Sequence, residues 1–178
     1  MNSKIVLTII NIILLLVVIL VLYRIALNDC GKVILGENWT AKRYGSKYIL
    51  SVKTGSDLTK TFEDFVQKEG IRVGSISGVG AVNSATLRFY NPATQKYVTK
   101  TFNEQMEISN LTGNISMKDG KQYLHLHATF GREDYSAIAG HLLTATINGA
   151  GEFWVEDLPT ASVSRVYDKE TGLQIFNF

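Results

Sequence analysis

Three histidines, His125, His127 and His141, fall within the seventeen-residue stretch HLHATFGREDYSAIAGH, and the chain has no others. Neutral imidazole is the commonest side-chain donor to divalent metals. On a strand, residues i and i+2 project from one face about 6.5–7 Å apart, close enough for two rings to converge on one ion at about 2.0–2.1 Å per bond. His125 and His127 have that spacing. His141, after the polar run GREDYS and Gly140, joins them only if the chain returns beside His127. Three imidazoles and one open position form the ligand set of a catalytic or exchangeable zinc site. A closed structural zinc would want a fourth ligand, usually thiolate, and the single cysteine, Cys30, is poorly placed for it. Glu152 in GEFWVEDL is the candidate to hydrogen-bond an imidazole or a metal-bound water. Spacing alone equally fits three unrelated histidines, because His-x-His is a weak motif.

The elements that must position these residues can be read from periodicity. Tyr48, Leu50 and Val52 alternate with polar residues in KYILSV, the pattern of a half-buried strand. Leu58, Phe62, Phe65 and Val66 then recur at helical spacing, with Ser56 or Asp57 available as cap and Gly70 as stop. From Ile71 onward, short apolar runs separated by Gly, Asn and Pro at intervals of about 8 to 12 residues predict successive strands. The expected class is α/β in the broad sense (α+β), a mostly antiparallel sheet with packed helices. GSISGVGAV matches neither the dinucleotide nor the Walker pattern, so Gly74, Gly78 and Gly80 are read as sites of a bulge or close strand approach.

Ahead of this pattern, Ile5 to Tyr23 is an apolar run broken only by Thr8 and Asn11. As a helix it extends about 28 Å, the thickness of a bilayer's hydrocarbon core. A cleaved signal peptide would have a shorter apolar region and a small-x-small cleavage site, and Asp29 before Cys30 fits a lipoprotein processing site poorly. Residues 1–30 are therefore read as a membrane anchor, 31–46 as a linker and 47–178 as the folded domain. Arg24, Lys32, Lys42 and Arg43 outnumber Lys4 on the other side, which favours a cytoplasmic domain. Residues 31–178 carry sixteen basic and fifteen acidic side chains, with no basic cluster longer than Lys42–Arg43. That is not the electrostatic footprint of a nucleic-acid binder.

The segments GSISGVGAVNSATLRFY, MEISNLTGNIS, DGKQYLHLHATFG with AGHL, GEFWVEDL and SRVYDKETGLQIF, in that order, resemble the PPC (plants and prokaryotes conserved) domain, also catalogued as DUF296, over about residues 47–178. The resemblance implies a compact α/β domain that assembles as a homotrimer and, in bacterial and archaeal members, can hold a metal, commonly zinc, on the histidines that correspond to His125, His127 and His141. Ala139 stands where the family often has the first glycine of Gly-Gly-His-Leu, a one-methyl change. EQMEISNL keeps Glu107, Ile108 and Leu111 but lacks the Arg-Phe pair of plant members, so plant-type partner contacts do not carry over. The Arg-Gly-Arg-Pro hook with which plant relatives reach the minor groove is absent from the sequence.

Together these readings predict a membrane-anchored, metal-binding trimer that recognises a small molecule or a protein partner, with Glu152 and Arg88 tuning the pocket. The alternative is a zinc-dependent hydrolase or decarboxylase in which Glu152 moves a proton, by analogy with acetolactate decarboxylases, which also place zinc on three histidines. DNA binding, the family's label, ranks third.

Overall fold

The computed structural model describes residues 3–29, 31–159 and 163–178, so Cys30 lies outside the described residues. Along the chain the elements are α1 (Ser3–Asp29), β1 (Lys32–Leu35), β2 (Trp39–Tyr44), β3 (Lys47–Val52), α2 (Leu58–Lys68), β4 (Gly74–Asn91), β5 (Lys96–Phe102), β6 (Met106–Lys118), β7 (Lys121–Gly131), β8 (Ala137–Asp157), β9 (Ser164–Asp168) and β10 (Leu173–Asn177). Within α1, the span Lys4–Arg24 is long and apolar enough to cross a membrane, and none of it is buried against the rest of the protein. It is not a core helix.

Helix α2 forms as its periodicity predicts. Asp57 accepts a hydrogen bond from the Lys60 amide at 3.0 Å, satisfying one of the free first-turn donors. Gly70, at φ +68°, ends the helix in a conformation that costs other residues more. Leu58, Phe62, Phe65 and Val66 are buried. Phe62 meets Phe153 of β8 edge-on at 4.8 Å, and Phe65 meets both Trp39 and Tyr48 edge-on.

These contacts correct the reading of 31–46 as a linker. The segment forms β1 and β2, which extend the sheet antiparallel from β3. Trp39 is 1% exposed and its indole N–H donates to Asp64 on α2 at 2.7 Å. The buried Trp39 and Ala41, together with the β2–β3 ladder, seat the segment on the core.

The predicted run of short strands is also merged into fewer, longer ones. Residues 74–82 and 84–90 become the single strand β4, and 141–147 joins 152–157 as β8. Register shifts between Val82 and Ser84 of β4, and around Gly149 of β8, bend these strands where turns were expected, and the bulge read in GSISGVGAV falls between Gly78 and Gly80. At Gly78 a Cβ would lie 2.4 Å from the Glu152 carbonyl, so the glycine permits the close approach of β8. Because β4 and β8 pair along nearly their whole length, the pairings β4–β6, β6–β7, β7–β8 and β8–β4 form a closed circuit. Its apolar interior and α2 share one core. The outward face of β7, β8 and β4 carries the candidate site.

Candidate metal centre

On β7, Leu126 and Ala128 point into the core, which turns His125 and His127 to the outer face. The β7–β8 connection is a built loop. Asp134 accepts from the Ser136 amide at 2.9 Å and from its hydroxyl at 2.6 Å, and the Arg132 amide donates to the Ser136 carbonyl. This return places His141 directly opposite His127 in the antiparallel register, and Arg88 of β4 directly opposite His141. The chain thus lines up His127, His141 and Arg88 across three strands, with His125 one pleat along. Further along β8, Thr144 donates to Asp57 at 2.7 Å, so the residue that caps α2 also holds the strand that carries His141.

The ring centroids of the three histidines are 5.0–5.3 Å apart. One nitrogen from each lies within 4.8 Å of the others. Nitrogens bound to one tetrahedral zinc at about 2.0–2.1 Å sit roughly 3.4 Å apart, a contraction that ring rotation can supply. Burial, and then the positive charge of Arg88, push the His141 pKa down to about 3. Burial, followed by Arg165, lowers that of His125. Both rings are therefore neutral at physiological pH, the form that donates a lone pair. Three imidazoles within reach of one point, with His125 and His141 held neutral, fit a divalent metal.

Arg88 touches this set. Its Nη2 lies 3.0 Å from His141 Nε2. A guanidinium has only N–H donors, so His141 accepts there and carries its own proton on Nδ1. The Arg88 guanidinium also lies over Tyr97 at 4.0 Å.

The C-terminal hairpin β9–β10 roofs the site. Arg165 of β9 donates to Asn114 Oδ1 at 2.6 Å, to Ser116 Oγ at 2.8 Å and to the Gln174 carbonyl at 2.8 Å. Its plane lies between Tyr123 at 4.9 Å and Phe176 at 4.5 Å. At the turn, the Tyr90 hydroxyl donates to the Thr171 carbonyl and Gln95 donates to that of Glu170. Between hairpin and sheet lies a cavity of about 870 Å³ with the histidines in its wall, a size suited to a small organic molecule.

Of the residues predicted for the site, the structure brings together His125, His127, His141 and Arg88, but not Glu152. That carboxylate is eleven residues from His141 on β8, in the half that pairs with β3, on the order of 30 Å along the strand. It lines a separate hollow beside Val79 and Asn148, so it hydrogen-bonds no imidazole. Arg165, Tyr97 and Tyr123 were not anticipated. The only sequence signal for Arg165 was its place in SRVYDKETGLQIF, a segment that marked the resemblance but gave its arginine no role.

Residues 40–159 match the model of the Plants and Prokaryotes Conserved (PCC) domain. The chain belongs to this family. Among solved structures, a candidate DNA-binding protein from Bacteroides thetaiotaomicron is 52% identical, with 80% of this chain and 99% of that one covered at a TM-score of 0.77. A metal-containing protein from Archaeoglobus fulgidus is 35% identical, covering 75% of this chain and 94% of the other, with a TM-score of 0.71. A plant- and prokaryote-conserved protein from Pyrococcus horikoshii, 24% identical, shares the fold over 82% of this chain and 98% of its own at a TM-score of 0.70. No curated protein matches the chain. In this PCC domain the matched residues end before β9, so the hairpin that roofs the histidines lies outside the family match.

Proposed function

We propose that this protein is a membrane-anchored PCC-domain trimer that holds a zinc ion on His125, His127 and His141 and serves as a small-molecule-binding, regulatory module. The observation that carries the reading is the convergence of three imidazole nitrogens within 4.8 Å at the wall of a cavity beneath the β9–β10 hairpin. The metal-containing Archaeoglobus relative supports it. Zinc bound by three imidazoles supplies a Lewis-acidic open position. The chain's own residues hold the ion, wall the cavity and limit water around it.

Binding is favoured over catalysis because no carboxylate lines the cavity among the described residues. A hydrolase or decarboxylase of the kind that would use Glu152 as proton carrier lacks that group within reach. DNA binding, suggested by the name of the Bacteroides relative, finds no support in the near-neutral charge of residues 31–178. The trimer draws support from an exposed apolar patch on the outer sheet face. There Trp154 lies across from Ile49, with Val79 close by, and all three side chains are exposed. The helix Lys4–Arg24 is the anchor, and the basic residues that follow it favour a cytoplasmic domain.

The test is metal content by elemental analysis of the full chain in detergent, beside the His125→Ala, His127→Ala double variant. The expected result is about one zinc per chain in the wild type and a near-complete loss in the variant. Equally low metal in both would refute the reading. Light scattering of the same sample should give a trimer mass, and a monomer mass would remove the assembly.

A further inference from the structure

The cavity has an unbalanced charge. Arg88, Arg165 and Lys118 line it together with the three histidines, and no Asp or Glu does among the described residues. A divalent ion on the imidazoles would add two further positive charges a few ångströms from Arg88. At that distance the repulsion is several kcal/mol wherever water is excluded, so a metal in this site calls for an anion beside it.

The two arginines are differently committed. Arg165 is fixed by three hydrogen bonds and two ring faces, and acts as a stationary charge. Arg88 is not fixed. Its Nε is buried without a hydrogen-bond partner, and its Nη2 rests on a His141 nitrogen that could otherwise hold the metal. A buried N–H without an acceptor costs about 1–3 kcal/mol, which an entering acceptor would relieve. The remaining wall is aromatic: Tyr97 beneath Arg88, Tyr90 beside it, and Tyr123 and Phe176 about Arg165.

Building on the metal reading, we propose that the cavity binds a small organic carboxylate with a flat apolar body as co-ligand of the metal, and that Arg88 leaves His141 to clamp the carboxylate. The planar guanidinium fork matches a carboxylate in a two-point hydrogen bond, and the aromatic walls receive the body. Metal and anion therefore bind cooperatively, each raising the affinity for the other.

The test measures the zinc affinity of the full chain in detergent, by competition with a chromophoric chelator, alone and with benzoate, benzamide or inorganic phosphate. Benzoate should tighten zinc binding by about tenfold or more, within the range of coupled sites. Its neutral isostere benzamide should have no effect, and phosphate, lacking the flat body, a smaller one. Arg88→Ala should bind zinc at least as tightly as wild type without benzoate and lose the benzoate effect. Arg88→Lys, which keeps the charge without the fork, should retain only part of it. Zinc affinity indifferent to benzoate, an equal effect of benzamide, a larger effect of phosphate or full coupling in Arg88→Ala would each overturn the proposal while leaving the metal site standing. A wild type that binds no zinc would instead overturn the metal reading and this one with it.

Discussion

Replacing Arg165 with alanine should release the roof of the site without unfolding the domain. The guanidinium bridges β9 to Asn114 and Ser116 on β6 and to Gln174 on β10, and two aromatic faces cover it. Hydrogen bonds to a charged group contribute about 1.5–3 kcal/mol each when no water replaces them. Asn114 is half-buried and can regain water from the cavity, whereas Ser116 is fully buried and cannot. Discounting for that rehydration leaves a net loss of about 2–4 kcal/mol, borne by the hairpin. At about 1.4 kcal/mol per factor of ten, amide exchange across residues 164–177 should accelerate roughly 30- to 1000-fold. Exchange in β3, β4 and β8 should be unchanged, because Arg165 is not part of the buried core beneath them. Hydrogen exchange read by mass spectrometry separates the two regions. Unchanged protection of the hairpin, or an equal loss throughout the domain, would show that Arg165 is not what fastens the roof.

Trp39→Ala should cost about 3–5 kcal/mol in urea unfolding, as for other buried aromatic truncations, whereas a true linker residue would cost almost nothing. Gly78→Ala forces a Cβ against the Glu152 carbonyl and the Phe153 ring and should destabilise by about 1–3 kcal/mol; a neutral result would mean that β4 and β8 do not approach so closely. The metal-free domain should lose stability in acid. His125 and His141 have folded pKa values below the unfolded value near 6.5, so the unfolded chain binds more protons. Their contribution is therefore complete above about pH 6.5 and is lost as pH falls toward the folded values. Urea midpoints at pH 7.5 and 5 measure this, and His141→Gln should flatten the difference.

Local periodicity made several parts of the molecule legible in the sequence. A spacing of two put His125 and His127 on one strand face, and a spacing of three and four gave α2 with its Asp57 cap and Gly70 stop. The glycines of GSISGVGAV were correctly read as strand features, because their spacing lacked the residues a phosphate loop requires. Less legible was whether such glycines bend a strand or end it. That choice depends on whether a neighbouring strand continues the ladder across the bulge, and β8 does so for β4.

Composition and short-range pattern determined that this protein has an apolar N-terminal helix, an antiparallel domain with one amphipathic helix, and a histidine pair able to take a metal. Only the tertiary structure decided who joins that pair. His141 and Arg88 arrive through strand register, and Arg165 arrives through a hairpin docked about forty residues further along the chain. Glu152 leaves for the same reason, because it shares the strand of His141 but lies in the half that pairs with β3. A side chain's neighbours along a strand are set by local geometry, and those across strands by pairings between distant segments. The sequence encodes the latter only through the packing of the whole core.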